Sequence, residues 1–442
     1  MNQSRIDLPT GLLTQLSPWL NATAWHIAFS GGLDSTVLLH LLVSLSKHHT
    51  LPPIRALHVH HGLQAAADAW PEHCRRVCEA LGVPLQVVSV EVCPGASLER
   101  AAREARYAAF AATLQADEVL LTAQHQDDQA ETLLFRLLRG AGVRGLSAMP
   151  RQRPLGHGYL LRPLLEVSRA ALEAYATQQG LNWIEDPSND DLRYSRNYLR
   201  RRVFPLLAEH WPRASMSLAR SAAHMSEAQD LLSDLARLDL AAAASPDAFD
   251  WLGVPSLELA PLQALSAARQ RNALSHWLAA LTLLPDSDHW SGWDALRDAV
   301  HDARPIWRLA GGELHRGGGR VWWLSDHWLR PVAGAVQWPD PAAALYLPGN
   351  GRVTLNGQRP AGPLWIRYRQ GGEVLQLPGR GHRDLKRLLN ERAVPAFVRG
   401  RLPLLYQGQR LLAVANLGGL DCAADGSWQL VWQPGSQDRG LS

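Results

Sequence analysis

The chain has 442 residues, 46% of them apolar, and a net charge of +3. That length suits two or three domains with sizeable cores and excludes a collagen-like or disordered polymer. Four cysteines (Cys74, Cys78, Cys93 and Cys422) exclude a disulfide framework, and the small net charge does not by itself announce a polyanion partner.

The N-terminus lacks a basic segment followed by a long apolar core, and no run of about 18 apolar residues occurs, so a soluble, cytoplasmic protein is expected. The first half alternates two periodicities. Residues 25–30 read as a strand and "DSTVLLHLLVSLS" as the helix after it. Residues 54–60 form a second strand, 68–81 a helix and 84–92 a third strand. "SLERAAREARYAAFAATLQ" is an amphipathic helix with Ser97 as its N-cap. A strand over 118–123, a helix over 127–139, a helix ending at Gly180 and a short strand "LNWIE" complete the series. Strands alternating with helices imply an α/β fold, a parallel sheet with helices on both faces. Cys74 and Cys78, four apart, suit one buried helical face better than a metal knuckle.

Near residue 215 the chain turns alanine- and leucine-rich and helical, up to a glycine-turned β-ribbon over 305–326. From 336 it is rich in Pro and Gly, with short strands and one helix, "HRDLKRLLNERAV". Three domains are therefore expected: 1–215, a parallel-sheet domain; 216–335, largely helical; and 336–442, small and mixed α+β.

"SGGLDST", residues 30–36, joins the first strand to its helix. It has neither the lysine of a Walker loop nor the three glycines of a dinucleotide fingerprint. Two glycines allow a tight turn and close ligand approach, and the free N–H groups of a helix start favour an anion. Ser30, Ser35 and Thr36 add hydroxyls. Asp34 is discordant beside a phosphate unless a magnesium ion lies between them. The bland alternative is a plain turn in which Asp34 or Ser35 caps the helix.

Three more polar loops follow strands: "HVHHGL", "HQDDQAET" and "EDPSND". In a parallel sheet all would gather at one edge, where such folds bind ligands. His125, Asp127, Asp128 and Glu131 sit at a helix start, with Asp128 and Glu131 on nearly one face. They either complement the helix dipole or bind a cation, a metal or a substrate amine. His58, His60 and His61 lack a matching zinc spacing. Arg193, Arg196, Arg200, Arg201 and Arg202 carry no acid among them, a one-sign helical stripe suited to a polyanion. A second basic patch lies over 380–401, with Arg380, Arg383, Lys386, Arg387, Arg392, Arg399 and Arg401 against Asp384 and Glu391. Two such patches suggest an extended nucleic acid.

"SGGLDS" resembles the pyrophosphate loop (PP-loop) of adenylating ATP pyrophosphatases. In order, "SLERAAREARY", "HQDDQAET", "EDPSNDDLRYSRNYLR" and "LPGRGHRDLKRLLNERAVPAFVRGRLPLLYQG" are similar to segments of the tRNA(Ile)-lysidine synthases. The matches cover both ends of the chain; the middle is similar only in size and helical character. The resemblance implies a ligase that uses ATP and Mg2+ to join free L-lysine to the wobble cytidine of a tRNA(Ile) with a CAU anticodon. The cytidine is first adenylated with release of pyrophosphate; the lysine amine then expels AMP. It further implies that Ser30, Gly31, Gly32, Leu33, Asp34 and Ser35 hold ATP, with Asp34 acting through magnesium. Asp128 and Glu131 would bind lysine, with Arg103 or Arg106 near the substrate. His125 is the candidate general base. Arg193, Arg196, Arg200, Arg380, Arg383, Lys386 and Arg387 would hold tRNA. A homodimer is left open.

Two rivals use the same loop. A PP-loop tRNA thiolase needs a reactive cysteine or an iron–sulfur cluster, commonly through Cys-x-x-Cys, and no such pair occurs. A non-catalytic nucleotide-sensing RNA-binding protein would not need the acid cluster.

Overall fold

A computed structural model describes residues 7–62, 68–92, 98–246, 248–285, 287–300, 303, 305–332, 334–377, 381–420 and 428–435. Its contacts divide the chain into two units, residues 1–230 and 231–442. In the first unit the order is α1 (Leu8–Leu16), β1 (Ala24–Ala28), α2 (Leu33–Ser46), β2 (Ile54–His60), α3 (Trp70–Leu81), β3 (Leu85–Ser89), α4 (Leu98–Thr113), β4 (Glu118–Leu121), α5 (Gln126–Leu137) and α6 (Val143–Leu146). There follow β5 (Gln152–Leu155), β6 (Gly158–Leu161), α7 (Arg169–Gln178), α8 (Ser195–Tyr198), α9 (Phe204–His210) and α10 (Ala214–Ala243), within which the unit boundary falls.

The six strands form one sheet in the order β3-β2-β1-β4-β6-β5, parallel except for β5. From β1 the chain builds outward to β2 and β3 and then returns to β1's other side with β4. The crevice at such a reversal is where open α/β sheets bind ligands. Helix α2 is apolar nearly all round, and Leu38, Leu39, Leu41 and Leu42 are fully buried, as expected of a helix enclosed on several sides. One face of the sheet shares a core with α1, α2, α3 and α7; Phe110 of α4 and Leu114 just after it pack on the other. Cys74 and Cys78 lie buried on one face of α3.

The expected α/β parallel sheet is present, with two local differences. "LNWIE" forms no strand, because both neighbours of β1 and the free edge of β4 are already taken. That edge is filled by the β5–β6 hairpin, which has a turn at Gly156 and His157. Pro154 is tolerated there because β5 is the outermost strand. The expected cap Ser97 lies outside the described residues.

The second unit runs β7 (Ser256–Glu258), α11 (Leu259–Gln263), α12 (Ala267–Leu278), α13 (Ser291–Asp298), β8 (Ile306–Leu309), β9 (Gly312–Gly317), β10 (Arg320–Ser325) and α14 (Asp326–Leu329). It continues with β11 (Val336–Trp338), β12 (Leu345–Tyr346), β13 (Arg352–Gly357), β14 (Leu364–Arg367), β15 (Val374–Leu377), β16 (Gly381–Asp384), α15 (Leu385–Glu391), α16 (Ala396–Arg399), β17 (Leu404–Gln407), β18 (Arg410–Val414) and β19 (Trp428–Gln433). A helical region with one antiparallel sheet thus precedes small antiparallel sheets. Strand β10 serves two cores. Val321 and Trp323 join Leu274 and Trp293 in one, while Trp322 and Leu324 join Leu364 and Trp432 in the other. The two-residue period of a strand places these pairs on opposite faces. Among the described residues no helix is long and apolar enough to cross a membrane.

Candidate active site

Strand β1 delivers the chain to Ser30–Gly32 at the point of reversal. Gly31 has φ +82°, and a Cβ there would come within 3.0 Å of Ile184 Cδ1 and 3.1 Å of Cys74 Sγ. The turn therefore needs glycine twice over, for its backbone and for its neighbours. The Ile184 N–H donates to Gly31 O at 2.8 Å, tying the polar segment after residue 184 to this loop. Gly32 is the N-cap of α2, and no side chain caps the helix, so the capping role considered for Asp34 or Ser35 is not found. The Ser35 hydroxyl instead donates to Gly32 O at 3.0 Å, and Ser30 Oγ accepts the Gly32 N–H at 3.3 Å. An uncapped helix start is an anion site.

Asp34 lies in that first turn. Its Oδ1 is buried with no hydrogen-bond partner. Burial pushes its carboxyl above the usual range, while His125 and Arg169 pull it back. A buried carboxylate oxygen without a donor is a place for a cation.

Four acids and a histidine converge here. His125 is 1% exposed and caps α5: its Nδ1 accepts the Asp127 N–H at 3.2 Å, and the Asp128 carboxylate accepts the His125 N–H at 3.1 Å. Because a backbone N–H can only donate, Nδ1 is bare and the ring proton sits on Nε2. That nitrogen faces Asp34 Oδ2 at 3.7 Å and Asp128 Oδ2 at 3.6 Å. Nε2 is buried and makes no hydrogen bond, so the ring is held by its Nδ1 side with its Nε2 edge turned toward the acids.

The Arg200 guanidinium supplies the cation for the other acids. Its Nε donates to Glu131 Oε1 at 2.6 Å, and Nη2 donates to Glu131 Oε2 at 2.9 Å and Asp128 Oδ1 at 3.0 Å. Burial pushes the Glu131 carboxyl up, and the Arg200 pair opposes that. The expected outward arginine stripe is not formed. Arg193 precedes α8 and pairs with Asp191, Arg196 donates to Thr132 Oγ1 at 2.8 Å, and Arg200 turns inward because the buried acids attract it. A π-type turn at residues 199–203 also breaks the expected helical spacing.

The loop with Asp34, Asp128, Arg103 and Arg106 of α4 and the segment after Ile184 line one cavity of about 880 Å³. The "EDPSND" and "RNYLRR" motifs form one hydrogen-bonded unit. Asn197 Nδ2 donates to Ser188 O at 2.9 Å and Asp191 O at 3.0 Å, and Arg201 Nε donates to Asn189 O at 3.2 Å. A smaller cavity of about 150 Å³ is lined by Asp127, Glu131, Arg169, Arg200, Phe204 and Ser215. Arg169 and Arg200 line both cavities. The sequence reading missed Arg169, whose backbone N–H donates to Asp127 Oδ2 at 2.9 Å. It stands 42 residues from that partner, so no local spacing marks it.

In the second unit, β15 and β16 make a ribbon that leads into α15. Arg383 lies on β16, and Lys386 and Arg387 lie on α15; Arg387 pairs with Glu391 at 3.0 Å. Arg380 lies outside the described residues. The basic patch over 380–401 is smaller than its sequence suggests. Arg401 is 6% exposed, and its guanidinium donates to the Trp328, Arg330 and Gly349 carbonyls and to Asn350 Oδ1. Arg392 donates to Gly418 O, and Arg399 donates to Val394 O.

Family models match three segments: a PP-loop domain over residues 10–207, a TilS substrate binding domain over 257–322 and a TilS substrate C-terminal domain over 364–432. The chain is 67% identical over 441 residues to the tRNA(Ile)-lysidine synthase of Pseudomonas fluorescens (strain Pf0-1), covering 100% of both. It is 62% identical to that of Pseudomonas syringae pv. tomato, covering 99% of this chain and 98% of the relative. Among solved structures, the U34-tRNA thiolase NcsA from Methanococcus maripaludis aligns over 50% of this chain and 78% of its own, at 17% identity and a TM-score of 0.41.

Proposed function

The chain belongs to the tRNA(Ile)-lysidine synthase family, and from that premise we propose that ATP and the wobble cytidine meet in the larger cavity of the first unit and that lysine binds in the smaller one, which shares Arg169 and Arg200 with it. Its activity is ATP-dependent lysidine formation on tRNA(Ile), a ligase reaction. The observation that carries the site assignment is the buried, partnerless Asp34 Oδ1 beside the uncapped start of α2.

In this reading Ser30, Gly31, Gly32, Leu33 and Ser35 cradle the ATP phosphates with backbone N–H groups and hydroxyls. Asp34 would hold Mg2+. Among the described residues no three His, Cys, Asp or Glu side chains gather as a ligand set. A magnesium ion at Asp34 would need phosphate oxygens and water as further ligands. When bound, the ion offsets phosphate charge. Arg103 and Arg106, which line the same cavity, would act on the reacting nucleotide. The cytosine carbonyl oxygen is a poor leaving group; as an adenylate it departs with AMP when the lysine amine forms the new C–N bond.

Lysine suits the acid cluster. Asp128 and Glu131 already hold a guanidinium, the same ligand chemistry as an ammonium. The smaller cavity offers Asp127 and Glu131 to the amines and Arg169 to the carboxylate of a free amino acid. We assign His125 to holding Asp34 and Asp128 in place, rather than to general base. Arg383, Lys386, Arg387 and Arg380 are proposed to hold tRNA, along with Arg193 and Arg196; Arg200 acts first on the acids. The division at 1–215, 216–335 and 336–442 is our proposal for the functional parts, supported by three separate family matches. A thiolase reading finds little support: burial pushes the Cys74 thiol up to about 12 and Cys78 up to about 11, far from a reactive thiolate.

The test is incubation with ATP, labelled lysine and unmodified tRNA(Ile). Label is expected in the wobble base, and tRNA-dependent ATP–pyrophosphate exchange accompanies it. Asp34→Ala lowers exchange on the order of 10²–10³-fold while tRNA binding survives. Glu131→Gln raises the KM for lysine more than that for ATP. Unchanged exchange in the first variant removes the cation role from Asp34, and equal shifts of both KM values in the second remove lysine from the acid cluster.

A further inference from the structure

Tyr107 of α4 stands among arginines. The Arg103 guanidinium lies over its ring at 4.8 Å and the Arg153 guanidinium at 4.9 Å. Arg103 Nη2 donates to the phenol oxygen at 3.4 Å; Arg162, only 4% exposed, donates to Pro150 O at 2.7 Å, and its Nε is buried without a partner. Among the described residues no carboxylate forms an ion pair with Arg103, Arg153 or Arg162. Burial pushes the phenol up, but Arg103, Arg162 and Arg153 outweigh it and bring it below its ordinary value. Packing cations around one ring without a counter-charge costs Coulomb energy, so the arrangement calls for an anion from outside.

Position says which anion. Arg103, Arg106 and Tyr107 line the larger cavity, but Arg153, over the same ring, is not part of its lining. It sits half-buried on β5, the outermost strand of the sheet, whereas the ATP loop lies on β1 in the middle. A free nucleotide or pyrophosphate would lie within the cavity. A polynucleotide that feeds one nucleotide in and continues outside would meet cations on both sides of the rim. Guanidiniums stacked on an aromatic ring keep their N–H edges free for phosphate oxygens.

We propose that Arg103, Tyr107 and Arg153, braced by Arg162, form a clamp for an RNA backbone phosphate next to the nucleotide that enters the cavity. This rests on the reading that the cavity accepts a tRNA nucleotide. Arg153 is then a positioning residue that no feature of the motifs had marked.

Direct tRNA binding, measured by filter retention from 50 to 300 mM KCl, tests it without turnover. Arg153→Glu is expected to weaken tRNA binding roughly tenfold at low salt and to reduce the slope of log K against log salt by about one. The KM for ATP and the inhibition constant of pyrophosphate stay within twofold. Arg153→Lys recovers the slope but only part of the affinity, since the charge remains and the planar stack is lost. If Arg153→Glu melts well below the parent protein, Arg153→Gln is read in its place with the same expectations. Wild-type tRNA affinity and slope overturn the proposal. So does a rise in the ATP KM or the pyrophosphate constant with tRNA binding intact, which would give the clamp to nucleotide phosphates. Failure of the parent protein to form lysidine would count against the functional reading, while the binding titration still decides the clamp.

Discussion

Single side chains in the site do two jobs at once. His125 is the candidate base by residue type, and in the fold its Nδ1 caps α5 while its buried Nε2 faces two acids. Asp34 shows the reverse: a residue that looks misplaced beside phosphates is also left without a donor by the fold. Its chemistry gives a pH prediction. A carboxyl raised by burial binds its proton more tightly in the fold than in the unfolded chain, where its ordinary value is 3.8. Ionising it therefore costs stability; the cost is absent below that ordinary value and complete above the raised one. Without ATP or metal, Asp34→Asn should melt at the same temperature as the parent near pH 4 and at a higher temperature at pH 8, by differential scanning fluorimetry. A variant that melts lower at pH 8 would mean that His125 and Arg169 outweigh burial.

At the scale of elements, periodicity was a sound guide where a segment had room for it. Strand β2 spans Ile54–His60 as read, and α2, α3 and α5 begin within two residues of expectation. The failures were at edges. β5 and β6 are four residues each and contain proline and glycine, so they carry little local signal, yet the open edge of β4 recruits them. "LNWIE" has strand composition and finds no edge. Strand β10 gives a prediction of its own. Trp322→Ala and Trp323→Ala should each cost about 3–5 kcal/mol but loosen different cores. Hydrogen exchange should rise in β14, β17 and β18 for the first and in α12 for the second, following the cores each indole fills. The same pattern in both variants would deny the two-faced role of β10.

For the molecule as a whole, net charge concealed the useful information. A total of +3 hides arginines that the fold sorts into buried braces such as Arg401, ion-paired residues such as Arg387, and cations left for a partner. Lys386 is one of only two lysines in the chain and lies exposed on α15. Lys386→Glu should weaken tRNA binding and reduce its salt slope by about one, whereas Arg401→Gln should unfold the region before it affects binding, because four acceptors lose their donors. Salt-dependent filter binding alongside thermal melting separates the two. An unchanged slope for Lys386→Glu would remove α15 from the tRNA surface.

The sequence alone determined the parallel sheet, the glycine loop that marks a PP-loop domain, the gathering of acids at one strand edge and, through its motifs, the family. Each depends on neighbours a few residues apart, where turn geometry, helical spacing and strand alternation operate. Only the tertiary structure decided where the charges go. Arg200 meets Glu131 and Asp128 from 69 and 72 residues away, Arg153 reaches the ring of Tyr107, and Arg401 leaves its surface patch for carbonyls 52 to 73 residues distant. A guanidinium is long, always charged and indifferent to secondary structure. Its partner is therefore set by which unsatisfied groups the folded chain brings within reach.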